Sequence, residues 1–160
     1  MDDLRAEFAD WSPQVTDLLD RVTGPVHRWA LYDRTPMPSW AAGSIALLGD
    51  ACHPMLPFMA QGACQAIEDG AILARLLDGT IPGRVPDALR TYEAIRQPRA
   101  AELQRRSWRN ATTYHLPDGQ DQQARDDALR RAAEAPVDGP DPLAWLYGYG
   151  ALGVELTPPS

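Results

Sequence analysis

Cysteine, histidine and long apolar runs are all scarce in this sequence, and each scarcity closes off a class of protein. There are two cysteines, Cys52 and Cys64. A disulfide between them has little motive in a reducing compartment, so both are read as thiols. The three histidines, His27, His53 and His115, lie far apart and share no zinc spacing with the cysteines; no metal is expected, even though Cys52 adjoins His53. The longest apolar run, residues 45–48, is far too short to span a bilayer, and the acidic N-terminus resembles no signal peptide. A cytoplasmic protein is the expectation. An excess of positive charge is lacking too. With a net charge of −7 the chain has no basic face to displace counterions from nucleic acid or an anionic membrane, and neither is expected as a partner.

What is present is the material of one soluble domain: 160 residues, 44% hydrophobic and 23% charged, enough apolar surface for a core. The fifteen prolines and twelve glycines fall between periodic segments and punctuate the fold. Leu4, Phe8, Trp11, Val15, Leu18, Leu19 and Val22 recur at three- and four-residue steps and predict an amphipathic helical region, interrupted near Ser12-Pro13. After Gly24-Pro25, residues 26–32 alternate as a half-buried strand would. The run at 44–48 predicts a strand buried on both faces.

Pro54 and Pro57 keep the following segment irregular until a helix starts near Gln61 or Gly62. Ala66, Ile67, Gly70, Ala71, Ala74 and Leu77 make a small-residue stripe on it, widened by Ile72, Leu73 and Leu76. Gln65, Glu68 and Arg75 are expected on its wetter side. A further helix carries Leu89, Tyr92 and Ile95 inward and is expected to kink or split at Pro98. Then come a turn at 115–119, a polar helical stretch at 121–135, a proline-rich turn at 136–142 and an aromatic cluster of Trp145, Leu146, Tyr147 and Tyr149 that docks on the body. The end, 157–160, is expected to fray. Two strands do not make a self-sufficient sheet. The chain reads as an α/β fragment, mostly helical.

Chemistry concentrates where the second strand ends. Gly49-Asp50, a proline-bearing loop and a glycine at a helix start form a ligand-facing arrangement in open α/β folds. A carboxylate there accepts hydrogen bonds from polyol hydroxyls, and free N–H groups of the helix start face an anion or an electron-rich ring edge. An isolated Gly-Asp would be read as a turn cap. The longer motif changes that reading: Leu48-Gly49-Asp50-Ala51-Cys52-His53-Pro54, with Gln61-Gly62-Ala63 and Ala66-Ile67-Glu68-Asp69-Gly70, resembles the flavin-binding motif of class A FAD-dependent aromatic-ring monooxygenases, closest to salicylate hydroxylase-like and hydroxynicotinate monooxygenase-like enzymes. Cys52 stands where the family commonly has alanine, a small change that fits the hydroxynicotinate-like branch.

The resemblance implies the C-terminal part of an FAD/NAD(P)-binding fold with a remnant of the substrate-domain sheet. Residues 1–36 would belong to the substrate domain, 37–111 to the FAD-binding domain and 112–160 to a helical extension. It implies FAD as cofactor, NADH or NADPH as reductant and an aromatic small molecule as substrate. Asp50 beside Gly49 would hold ribityl or nearby phosphate-linked hydroxyls, the backbone of Gln61, Gly62 and Ala63 would face the pyrimidine edge of the flavin, and Pro57 with Pro54 would shape the loop along its ring. His53, Met55 and Phe58 would border flavin or substrate, or else serve packing and turn hydrogen bonds. No catalytic base is assigned.

No Gly-x-Gly-x-x-Gly follows an N-terminal strand and no acidic ribose reader comes after one, so the adenosine half of the cofactor is expected to sit on a missing N-terminal nucleotide-binding domain or subunit. Three readings stay open: a monooxygenase fragment or subunit, an incomplete gene product, and a non-catalytic remnant serving as a binding or self-association module, for which a homo-oligomer is one form. Asp69 and Arg96 are read as two solvated charges, with a buried helix-to-helix pair as the alternative. The Arg99, Arg105, Arg106 and Arg109 run is read as a solvated face or a contact to further structure.

Overall fold

Proline and glycine set the element boundaries in the computed structural model, which describes residues 1–134, 141 and 143–157. It divides into two units, Met1–Leu31 and Tyr32–Ser160. In the first, helix α1 (Asp2–Glu7) is followed by α2 (Pro13–Asp20). Pro13 opens α2, where its missing N–H costs nothing, so the expected interruption is a helix boundary. An exposed ion pair, Arg5 to Asp20 at 3.1 Å, links the two helices.

Residues 26–32, expected as a half-buried strand, form no strand, and Trp29 and Tyr32 are 82% and 83% exposed. Alternation alone cannot make a strand. The backbone needs a neighbour to bond to, and none of the described residues pairs with this segment. The run at 44–48 is a second correction. Only β2 (Ile45–Ala46) is a strand, pairing antiparallel with β1 (Ala41–Ala42) in the register Ala41 to Ala46 and Ala42 to Ile45. Ile45 is 73% exposed, because a two-stranded ribbon has no second layer to cover its outer face.

Helices α3 (Gly62–Leu77) and α4 (Val85–Tyr114) form the body of the second unit. Trp40, Cys52, Ile72, Tyr92 and Ala100 make its core, with Leu47, Leu73, Leu76 and Ile95 packed around them. Helix α4 runs unbroken through Pro98, which is exposed; the expected split does not occur, since packing on both sides of the proline outweighs one lost hydrogen bond. Helices α5 (Gln120–Glu134) and α6 (Ala144–Tyr147) follow. The polar stretch is therefore helical up to Glu134; position 135, the expected turn at 136–140 and 142, and the expected fraying at 158–160 lie outside the described residues. No helix of the described residues is long and apolar enough to cross a membrane.

The amphipathicity of α3 meets expectation only in part: Ile72, Leu73 and Leu76 turn to the core and Ala66 and Ala71 are half-buried, but the rest of the small-residue stripe faces outward. Its buried residues are Gln65, Asp69 and Ile72, whereas Ala63, Ile67, Gly70, Ala74 and Leu77 are exposed, Ile67 by 72%. Gln65, Glu68 and Arg75, expected on the wet side, all bond to other elements. Arg75 donates to the carbonyls of Ala151 and Val154 at 2.7 and 2.9 Å. Polar side chains take the inner face here because α4 and the C-terminal segment supply complementary partners.

Candidate functional site

Gly49 is buried with φ of +59°. A side chain there would be strained, and its Cβ would also lie 3.2 Å from the Ala66 methyl on α3. This glycine starts a 3-10 turn, Gly49–Ala51, whose carbonyl accepts from the Cys52 and His53 amides at 3.0 and 2.9 Å. Asp50 stands exposed on that turn. Pro57 begins a second 3-10 turn, Pro57–Met59, which Ala60 closes in the left-handed region at φ of 51°, a conformation costing an alanine on the order of 1 kcal/mol. Gln61 then leads into α3 with no side chain capping the first turn, so its leading N–H groups stay free.

These pieces enclose one open cleft of about 620 Å³, lined by Leu48, Gly49, Asp50, Met55, Leu56, Pro57, Ala60, Gln61, Gly62, Ala63 and Ala66. The six residues singled out from the sequence, Gly49, Asp50, Pro57, Gln61, Gly62 and Ala63, all lie on its wall. Met55 does too. A Cβ at Gly62 would come within 4.0 Å of both Asp50 Oδ1 and Met55 Cγ, so glycine keeps the start of α3 open to a ligand. His53 and Phe58 lie elsewhere. His53 is fully buried beside Trp40, ring centroids 5.3 Å apart. Phe58 packs edge-on against His115 and Tyr114 in a neighbouring groove.

Behind the cleft lies a buried polar network, of which the sequence offered the Asp69–Arg96 pair alone, and that as the alternative reading. Asp69 Oδ2 accepts the Gly49 amide at 3.1 Å and pairs with His53 Nε2 at 2.7 Å, while Oδ1 accepts Arg96 Nε at 2.7 Å. Asp69 and Arg96 are therefore a buried ion pair rather than two solvated charges. Arg96 also reaches Glu68 at 2.6 Å and Gln65 Oε1 at 2.7 Å. Burial opposes the charge on Asp69, but the hydrogen bonds from His53, Arg96 and the Gly49 amide outweigh it and hold the carboxyl below its usual range. Burial likewise opposes the Arg96 cation, and the bond to Asp69 reverses this and raises its pKa.

Cys52, His53 and Asp69 place their donor atoms within 4.8 Å of one another. Burial, then the Asp69 charge, pushes the Cys52 thiol up to about 12, so it stays protonated and donates to the Gly49 carbonyl at 3.4 Å. The group is a hydrogen-bonded cluster, with Arg96 already neutralising its one carboxylate.

Helix α4 fixes the loop from its other side. Gln104 donates to the Pro54 carbonyl at 2.9 Å, Ser107 to that of Leu56, and Asn110 to that of Phe58 at 3.0 Å. A three-residue step along the helix thus meets a two-residue step along the loop. Glu93 accepts from the backbone of Trp40 and Ala41. The arginine run divides: Arg105 and Arg109 are exposed, whereas Arg99 bonds Glu68 and the carbonyls of Trp145 and Leu146 at 2.8 and 3.0 Å and lies 3.9 Å from the Tyr149 ring. The aromatic cluster docks through these contacts, except for Tyr147, which is exposed. Helical spacing between Glu68-Asp69 and Arg96-Arg99 held the only sequence signal for this, and it does not say which faces meet.

With the cleft defined, the chain can be set beside known proteins. The family described as FAD binding domain matches residues 15–107. A 3-amino-4-hydroxybenzoate 2-monooxygenase of Streptomyces platensis, PtnB3, is 44% identical over 93% of this chain and 36% of its own length. A 6-hydroxynicotinate 3-monooxygenase of Pseudomonas fluorescens is 39% identical over 99% of this chain and 34% of its own. Among solved structures, a salicylate hydroxylase substrate complex superposes with a TM-score of 0.71 at 28% identity, covering 94% of this chain and 35% of that one. Klebsiella pneumoniae HpxO complexed with FAD and uric acid superposes with a TM-score of 0.72 at 33% identity over 81% and 33%. The chain thus spans about a third of the length of these relatives. It belongs to the FAD binding domain family, as a fragment of the fold shared by FAD-dependent hydroxylases.

Proposed function

We propose that this chain supplies the ribityl and isoalloxazine side of the FAD site of an aromatic-ring monooxygenase that uses NADH or NADPH. The observation that carries the reading is the single cleft in which the Asp50 carboxylate, the side-chain-free Gly62 and the uncapped start of α3 converge. Bound there, FAD supplies the redox chemistry that carries oxygen to the substrate. The chain's own residues bind and orient. Asp50, to which nothing among the described residues donates, would accept ribityl hydroxyls. The free amides of Gly62 and Ala63 would stabilise negative charge at the pyrimidine edge through the helix dipole, and Pro57 and Met55 would exclude water from one side of the ring.

In this reading residues 37–111 form the C-terminal part of the FAD-binding domain, 1–36 a remnant of the substrate domain and 112–160 a helical extension. The adenosine half of the site comes from a nucleotide-binding domain in the same or another polypeptide. The exposed side of α3, with Ile67 and Leu77, supports such a neighbour. Free Cys52 and Cys64 fit the reducing cytoplasm.

Titration with FAD, followed by flavin fluorescence and visible absorption, tests the assignment, both on the chain alone and with a relative's nucleotide-binding part added. Uptake is expected. It weakens about ten-fold or more in Asp50→Ala, as for loss of a charge-assisted hydrogen bond, and disappears in Gly62→Val, with circular dichroism unchanged in both. Equal affinity across the three proteins, or no uptake by wild type in either setting, removes the assignment.

A further inference from the structure

We propose that Asp69, a residue outside the cleft, is the positioning residue for Asp50: its carboxylate staples both ends of the turn that presents Asp50 to the flavin. The inference rests on the flavin reading of the cleft. Asp69 does not line the cleft and lies fully buried on the inner face of α3. One oxygen, Oδ1, meets Arg96, which is all that joining α3 to α4 requires. The other oxygen turns to the loop and holds it at two points, the Gly49 amide at 3.1 Å and the His53 ring at 2.7 Å. Asp50 sits between those two anchors, and no group among the described residues donates to its own carboxylate.

Two further features favour a positioning device over general core adhesion. The first anchored amide belongs to Gly49, which combines a left-handed backbone with an approach to α3 so close that an added Cβ would lie 3.2 Å from the Ala66 methyl, and the amide itself is held by Asp69. The second is the His53 contact, the one hydrogen bond of that buried ring among the described residues, since its Nδ1 has no partner there. The tautomer that fits carries its proton on Nε2 and donates it to Asp69.

The test compares wild type with Asp69→Asn and with the paired apolar variant Asp69→Leu/Arg96→Met. Replacing both members of a buried ion pair by apolar groups of similar volume is compatible with full stability, so the pair keeps α3 joined to α4 while removing the staple. Amide hydrogen exchange at Gly49, read by NMR against amides in the middle of α3 and α4, reports the turn, and FAD titration reports its consequence. Both variants are expected to exchange the Gly49 amide about ten-fold faster or more and to bind FAD about ten-fold more weakly, the equivalent of one charge-assisted hydrogen bond. The urea midpoint of the paired variant should fall less than that of Asp69→Asn, which leaves the Arg96 cation without its buried carboxylate. A carboxylate that only holds the core together predicts that the paired variant recovers wild-type exchange and affinity, and that outcome overturns the proposal. Should wild type take up no FAD, the flavin reading of the cleft fails, and exchange at Gly49 alone decides whether Asp69 sets the turn.

Discussion

At the scale of single residues, Gly49 and Asp69 decide the shape of the candidate site. Gly49→Ala puts a methyl group on a backbone at φ of +59° and within 3.2 Å of the Ala66 side chain. The left-handed conformation alone costs about 1–2 kcal/mol, so a loss of about 2 kcal/mol is expected, measured as a lower urea midpoint with an unchanged slope. Asp69 contributes to the acid limb of stability. Its folded pKa lies below the unfolded carboxylate value of about 3.9. Its contribution is therefore fully present above that pH and is lost as pH falls through the lower folded value. Urea denaturation from pH 6 to pH 2, compared between wild type and Asp69→Asn, should show the two curves parallel above about pH 5 and converging below about pH 4. Curves that stay parallel to the lowest pH would show that Asp69 is not the titrating group.

At the scale of elements, α4 is the part whose continuity was least apparent. Pro98 is exposed in the interior of a 30-residue helix and lacks the N–H that would bond Ala94. Pro98→Ala restores that bond at the cost of a more flexible unfolded chain. A net gain of about 1–2 kcal/mol is expected, visible as a higher melting temperature; an unchanged or lower one would mean the ring itself packs usefully. The same helix explains why so much of the loop from Pro54 to Phe58 could not be placed beforehand. Gln104, Ser107 and Asn110 read as ordinary polar helix positions, and only their arrival beside three loop carbonyls gives them a role. Conversely, the helix start at Gly62 was legible, because proline and glycine restrict the local backbone whatever surrounds it.

At the scale of the whole molecule, the C-terminal segment is held to the helices of its own unit by a few strong contacts. Arg99 joins Glu68 to the carbonyls of Trp145 and Leu146, and Arg75 holds Ala151 and Val154. Arg99→Met should free this segment while leaving α3 against α4. Limited proteolysis with an aromatic-directed enzyme is then expected to cut near Trp145 at least several-fold faster, with a resistant product ending close to α5; an unchanged cutting rate would mean that the other contacts suffice. The exposed outer side of α3 belongs to the same scale. The stripe of Ala66, Ile67, Gly70, Ala71, Ala74 and Leu77 was visible as a pattern, but a stripe does not say that Ile67, Gly70, Ala74 and Leu77 face outward while Ala66 and Ala71 are half-buried.

The sequence by itself determined the positions whose meaning is local or is carried by a long motif: Gly49 and Gly62, the helix beginning after Gln61, and the family to which the run from Leu48 through Gly70 points. The tertiary structure alone decided what depends on partners distant along the chain. Residues 26–32 are no strand for want of a neighbour, Asp69 and Arg96 are a buried pair rather than solvated charges, and Gln65 lies inside while Ile67 lies outside. Backbone restriction by glycine and proline acts through adjacent atoms and is written in the order of residues. Burial and pairing act through contacts between segments, and those exist only once the helices have met.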